Sequence, residues 1–251
     1  MKIIDTHAHL QSKEFDNIID EVIQRFGIVE KVFLATSYIS DIEKACKLTH
    51  KYENLYFFAG IHPHYAGEFK IGDLDIIESY LKDEKCIGIG EIGLDYFYNY
   101  APKETQKILF SSLLDFAIFH NKWVSIHIRD AVSDSIDILS SKLDLKAIIH
   151  CFSGDIDLLK LALDRNYLLG IGGIVTFKNS LIRKNIKYVP LKNMVLETDS
   201  PYLAPVPKRG HTNEPSFLQY TLFELSNLLK LPPQEIAQIT YKNSLRVLND
   251  K

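Results

Sequence analysis

The sequence predicts an α/β fold, a (β/α)8 TIM barrel, running as one domain over residues 1–251. Three observations carry that reading. With 251 residues and 46% hydrophobic content the chain can bury one large core, a size common among α/β barrels. Eight short, β-branched apolar runs alternate with longer amphipathic stretches. The runner-up, an open doubly wound sheet, would place a Gly-x-Gly-x-x-Gly turn after its first strand, and none is there.

Taken in order, the first run is residues 2–5, leading into His7 and His9. Side chains alternate along extended backbone, so two imidazoles two residues apart point to the same side. The second run is 31–36, and the third, 55–61, is followed by His62 and His64. The fourth, 86–91, ends in Glu91; the fifth, 123–128, holds His127; the sixth, 147–150, ends in His150. The seventh, 167–172, overlaps the glycine-rich stretch 170–173, read as a tight turn that lets backbone approach closely. The eighth, 194–197, precedes Asp199 by two residues. Residues 103–120 show the intervening helical pattern, with Ile108, Leu109, Leu113, Phe116 and Ala117 forming an apolar stripe at 3.6 spacing. Residues 215–249 read as two helices divided by Leu231-Pro232-Pro233, with Pro233 early in the second, packing outside the barrel.

Composition removes several functions. Net charge is -3, so no global positive field draws in a polyanion and any nucleic-acid contact must be local. Cys46, Cys86 and Cys151 show no Cys-x-x-Cys spacing, and an odd count fits a reduced, cytoplasmic setting. The N-terminal apolar stretch is too short for a signal peptide, no run is long enough to span a bilayer, and nothing points to an obligate protein partner.

In a barrel of this kind the C-terminal strand ends converge on one mouth, where active sites are built. Six of the nine histidines, with Glu91 and Asp199, fall on that rim. Crowded imidazoles repel when protonated and leave donors unpaired when neutral, so the cluster calls for a divalent cation such as Zn²⁺ or Mn²⁺.

The segments Asp5-Thr-His-Ala-His9, Gly60-Ile-His-Pro-His64, Ile89-Gly-Glu-Ile-Gly-Leu-Asp-Tyr96, His127-Ile-Arg129, His150-Cys-Phe-Ser-Gly154, Glu197-Thr-Asp-Ser-Pro201 and Arg209-Gly-His-Thr-Asn-Glu-Pro215 resemble, in order and over nearly the whole chain, the motif set of the TatD family of metal-dependent hydrolases. The resemblance implies a two-metal centre of the amidohydrolase type, holding Mg²⁺, Mn²⁺ or Zn²⁺, and activity on DNA. It implies that His7, His9 and Asp199 hold one ion, that Glu91 bridges to a second, and that His127 and His150 complete the second site.

On that basis the expected reaction is metal-dependent hydrolysis of phosphodiesters by a bound water, with single-stranded DNA trimmed from an end. Asp199 and Glu91 are the candidate catalytic carboxylates, Asp199 orienting the water and taking its proton; its alternative is a helix N-cap. His62 and His64, outside the implied ligand set, are assigned to phosphate, as are the forked donors of Arg129 and Arg209. Asp95 is expected behind the ligands, orienting a histidine. Tyr96 stacks on a base or packs, and Cys151 is read as small core filler and not as a nucleophile. Basic and aromatic side chains near the mouth (Lys178, Lys208, Phe97, Tyr98) favour DNA over the alternative, a small-molecule amidohydrolase or lactonase using the same centre.

Overall fold

The computed structural model describes residues 1–250. Strands β1 (Ile3–Ala8), β2 (Val29–Ala35), β3 (Leu55–Phe58), β4 (Cys86–Asp95), β5 (Trp123–Arg129), β6 (Lys146–Ile149), β7 (Leu168–Ile171) and β8 (Met194–Leu196) pair in parallel, in chain order, and close into a barrel. Helices α1 (Ile19–Gln24), α2 (Ile39–Lys51), α3 (Gly72–Tyr80), α4 (Lys103–Phe119), α5 (Val132–Ser140), α6 (Ile156–Asp164) and α7 (Leu181–Asn185) alternate with the strands, and α8 (Leu218–Leu229) and α9 (Pro233–Asn249) follow β8. No helix of the described residues is long and apolar enough to cross a membrane.

Two strands run further than the apolar pattern indicates. β1 continues through Asp5 and His7 to Ala8, and β4 passes through Glu91 to Asp95. Hydrophobicity drops at those residues, but parallel pairing continues, with register shifts between Asp5 and Ala8 and between Ile89 and Ile92. The shifts fall where the chain turns polar side chains inward.

Period-two alternation divides the apolar residues into two sets. Ile4, Phe33, Phe58, Ile87, Trp123, Ile148, Leu168 and Val195, one from each strand, form a cluster of their own inside the barrel. Their neighbours Ile3, Leu34, Phe57, Ile149 and Leu169 face outward and join the larger core beneath the helices. Val247 of α9 belongs to the inner cluster, and Arg246 lies 5.9 Å from the Trp123 ring centroid. Since α9 also packs on β1 and β8, while Trp123 opens β5 across the barrel, this helix crosses the N-terminal end as a floor. The C-terminal end is left to polar residues.

Candidate metal centre

Each inward-facing polar residue sits just above the apolar layer. His7 lies within β1; Glu91 is in the middle of β4; His127 is near the end of β5; His150 and Glu197 directly follow β6 and β8. Asp199 is two residues further on, with a left-handed φ of 58°, a conformation Asp tolerates better than most residues. Its N–H donates to the His7 carbonyl at 2.9 Å, and the N–H of Tyr202 donates to its own carbonyl at 2.8 Å. Asp199 therefore belongs to a tight turn against β1. It caps no helix.

Glu91 is the centre of the arrangement, and its two oxygens face different partners. Oε2 lies 3.4 Å from His7 Nε2 and 3.5 Å from His9 Nε2. Oε1 lies 2.8 Å from His127 Nδ1 and 3.7 Å from His150 Nε2. Asp199 Oδ1 stands 3.5 Å from His9 and 3.9 Å from both His7 and His150. Ligand atoms of His7, His9 and Glu91 converge closely enough to hold one ion, as do those of Glu91, His127 and His150. The shared carboxylate makes the two groups adjacent.

The donors fit a divalent cation. His7 Nε2 and His9 Nε2 are 3.2 Å apart, so two ring nitrogens aim at one spot alongside carboxylate oxygen. Burial opposes protonation of His150, yet Glu197, Asp199 and Glu91 lift it to about 10. Burial is likewise outweighed at His9 by Asp199 and Glu91, and at His127 by Asp95 and Glu91, and both are raised. Burial would raise Glu91, but His7, His62 and His127 hold it well below the usual carboxylate range. The cluster favours positive charge strongly enough to bind protons in a buried place, the demand a cation meets.

A second layer fixes the imidazoles. Ser125 Oγ lies 3.1 Å from His7 Nδ1, and Asp95 Oδ2 lies 3.0 Å from His127 Nε2. Asp95 is locked by N–H donation from Phe97 and Tyr98, and its own N–H donates to Gln106. Asp5 accepts from the Thr198 N–H at 2.9 Å and from its hydroxyl at 2.5 Å, tying β1 to the turn that carries Asp199. Burial pushes Asp5 up to about 7. Ser125, Asp5 and Glu197 escaped assignment from sequence, although Asp5 and Glu197 open two of the quoted motifs.

The residues assigned to phosphate separate into two kinds. His62 is buried, with Nε2 3.8 Å from Glu91 Oε1, so it belongs to the centre and not merely to the rim. Its Nδ1 accepts the His64 N–H at 3.2 Å, and burial holds it well below its ordinary pKa, so the neutral ring carries its proton on Nε2 and is a donor. His64 Nε2 lies 3.1 Å from Asp95 and its ring meets Tyr98 and Tyr100 edge-on. Arg129 is exposed, its guanidinium 3.8 Å from the Phe97 ring centroid. Arg209 is exposed, stacks over Phe177 at 4.2 Å and donates to the Ala204 carbonyl at 3.4 Å. Tyr96 donates to Asp134 at 2.6 Å and lies under Lys103, so it is already engaged in packing. Cys151 donates its N–H to Glu197 Oε1 at 2.6 Å, and burial raises its thiol well above the ordinary range, which suits no nucleophile.

Comparison with known proteins agrees with this geometry. A family model described as TatD related DNase matches residues 4–249. An uncharacterized metal-dependent hydrolase of Bacillus subtilis, YabD, is 35% identical over 250 residues, covering 98% of both chains. The Escherichia coli counterpart YcfH, also described as an uncharacterized metal-dependent hydrolase, is 30% identical over 258 residues, covering 99% of this chain and 96% of its own. The crystal structure of YjjV, a TatD homolog from Escherichia coli, superposes with a TM-score of 0.93 at 26% identity and 98% coverage of each chain.

Proposed function

We propose that this chain, which belongs to the TatD family of metal-dependent hydrolases, cleaves phosphodiester bonds of DNA, trimming single strands from an end. The observation that carries the reading is the join between the histidine–carboxylate centre and an exposed aromatic rim. Phe97, Tyr98 and Tyr100 are 55%, 39% and 67% exposed on the loop that follows β4, and His64 links them through Asp95 to His127. Tyr98 and Tyr100 are stacked at 5.3 Å, with Arg129 beside them. Exposed rings beside a forked cation suit unpaired bases and their phosphates, because every base offers a π-face.

In this reading His7, His9, Asp199 and Glu91 would hold one divalent ion, and Glu91, His127 and His150 a second. When bound, such ions supply an activated water and neutralise charge on the phosphoryl oxygens. Asp199 accepts the proton of the attacking water: burial would raise its pKa, but His150, His9 and His7 keep it lowered and ionised. His62 presents its Nε2 proton to a phosphate oxygen, and Arg129 grips the neighbouring phosphate. Asp95 and Glu197 hold the His127 and His150 rings in place. The deciding experiment offers purified protein 3′- and 5′-labelled single-stranded oligonucleotides with a panel of divalent ions. Shortening from one labelled end that EDTA abolishes and Mg²⁺ or Mn²⁺ restores supports the reading; cleavage that survives exhaustive chelation defeats it.

A further inference from the structure

At the opposite end of the barrel lies a second set of metal-ligating side chains that the reaction does not use. Cys46 and His50 are four residues apart in α2 and so share one face of the helix. Both meet Asp83, which lies in the turn between α3 and β4. Asp83 Oδ2 lies 3.5 Å from Cys46 Sγ and 2.8 Å from His50 Nε2, and the three ligand atoms fall within 4.8 Å of one another.

The carboxylate is fixed before any ion arrives. Its Oδ1 accepts the Lys85 N–H at 2.8 Å, its own N–H donates to the Tyr80 carbonyl at 2.9 Å, and its carbonyl accepts from Cys86 at 3.1 Å. Oδ2 is thereby aimed at the helix face that carries sulfur and imidazole. His50 also lines an open polar recess of ≈ 600 Å³, so the place is reachable from solvent. One sulfur, one nitrogen and one oxygen from rigid elements form a donor set suited to a borderline ion.

We propose that Cys46, His50 and Asp83 form a separate site for Zn²⁺ or a chemically similar divalent ion, tying α2 to the entrance of β4. Binding exchanges the Cys46 thiol proton, released to solvent, for the metal–sulfur bond, with the Asp83 carboxyl held below its ordinary range by its hydrogen bonds, so no oxidant or reductant is involved. The site stands independently of the substrate acted on at the other end. Its position at the N-terminal face of the barrel points to stability and not to chemistry.

Co²⁺ titration of the full chain tests this, because a thiolate ligand gives a near-ultraviolet charge-transfer absorption that histidine and carboxylate ligands do not. Wild type and Cys151→Ser should both develop the band, and Cys46→Ser should lose it. His50→Gln, at an exposed helix position, should fold normally and weaken Co²⁺ binding at this band by more than about tenfold. A wild type without the band, or a band that persists in Cys46→Ser or is unmoved in His50→Gln, overturns the proposal.

Discussion

Glu197 Oε1 lies 3.0 Å from His150 Nδ1, with both side chains sealed from solvent. The pair exists because β7 carries Gly170 opposite: a Cβ there would stand 2.0 Å from Glu197 Oε2. A buried carboxylate behind an imidazole fixes ring orientation and raises its basicity at the outward nitrogen. Glu197→Gln should therefore weaken metal binding on the order of 10–100-fold. Gly170→Ala should do the same without altering any ligand, and metal titration by calorimetry checks both. Unchanged affinity in both would remove Glu197 from the centre.

Loading the centre with metal should release protons at neutral pH. In the metal-free site burial opposes protonation, but neighbouring carboxylates lift His150 to about 10 and raise His9 and His127. Each raised group holds its proton below its folded pKa and must shed it to bind a cation, so apparent affinity increases as pH rises and falls as pH drops. Calorimetry at pH 7 in buffers of different ionisation enthalpy should show net proton release. Zero release would mean that these rings are already neutral.

Glu91 and Asp95 should separate in a mutant pair. Glu91→Gln alters the carboxylate whose two oxygens face His7 and His9 on one side and His127 and His150 on the other, and should remove nearly all hydrolysis. Asp95→Asn disturbs only the far side of His127 and His64 and should cost roughly 10–100-fold. Equal, mild losses would place the shared anion elsewhere.

The floor helix predicts a purely structural defect. Val247 is fully buried and packs into the inner cluster of one residue per strand. Val247→Ala deletes two buried methyl groups and leaves a cavity, costing about 2 kcal/mol in denaturant unfolding. Metal affinity of the histidine–carboxylate centre should be unchanged, because the floor and the mouth lie at opposite ends.

The order of the barrel was legible because its signals are local. Each strand is a short apolar run, and all eight predicted runs overlap observed strands. The division between α8 and α9 was equally local, written in Leu231-Pro232-Pro233. What the pattern could not carry is direction in space. Nothing in the spacing of His62 separates a rim donor from a ring 3.8 Å from Glu91, since the 3₁₀ turn at Pro63–Tyr65 sets its course. Arg129 and Arg209 offered charge, but their stacking on Phe97 and Phe177 depends on loops whose paths tertiary packing decides. Asp5 and Glu197 stayed unassigned for the same reason: a carboxylate that orients another residue differs in sequence from no other strand carboxylate.

The aromatic rim gives the test of substrate class. Tyr98 and Tyr100 stack on each other, meet His64 edge-on, and are 39% and 67% exposed beside the centre. Loss of a base-stacking ring removes about 1–3 kcal/mol, so Tyr98→Ala and Tyr100→Ala should each weaken single-stranded oligonucleotide binding by about 5–150-fold. The loss should appear mainly in KM, because stacking holds substrate and transition state alike. Metal content and hydrolysis of a small aryl phosphodiester should stay nearly constant, since neither tyrosine is among the histidine–carboxylate contacts around Glu91. With a net charge of -3 the protein engages a polyanion only locally, so affinity should show a shallow salt slope, roughly two to four phosphates neutralised. Arg129→Ala should reduce that slope by about one phosphate, while the tyrosine pair leaves the slope intact and lowers affinity at every salt concentration. If the tyrosine changes affect small and large substrates equally, the rim is structural. If the wild-type protein hydrolyses small amides or lactones and no oligonucleotide under any divalent ion, the centre serves a small-molecule hydrolase and the nucleic-acid reading falls.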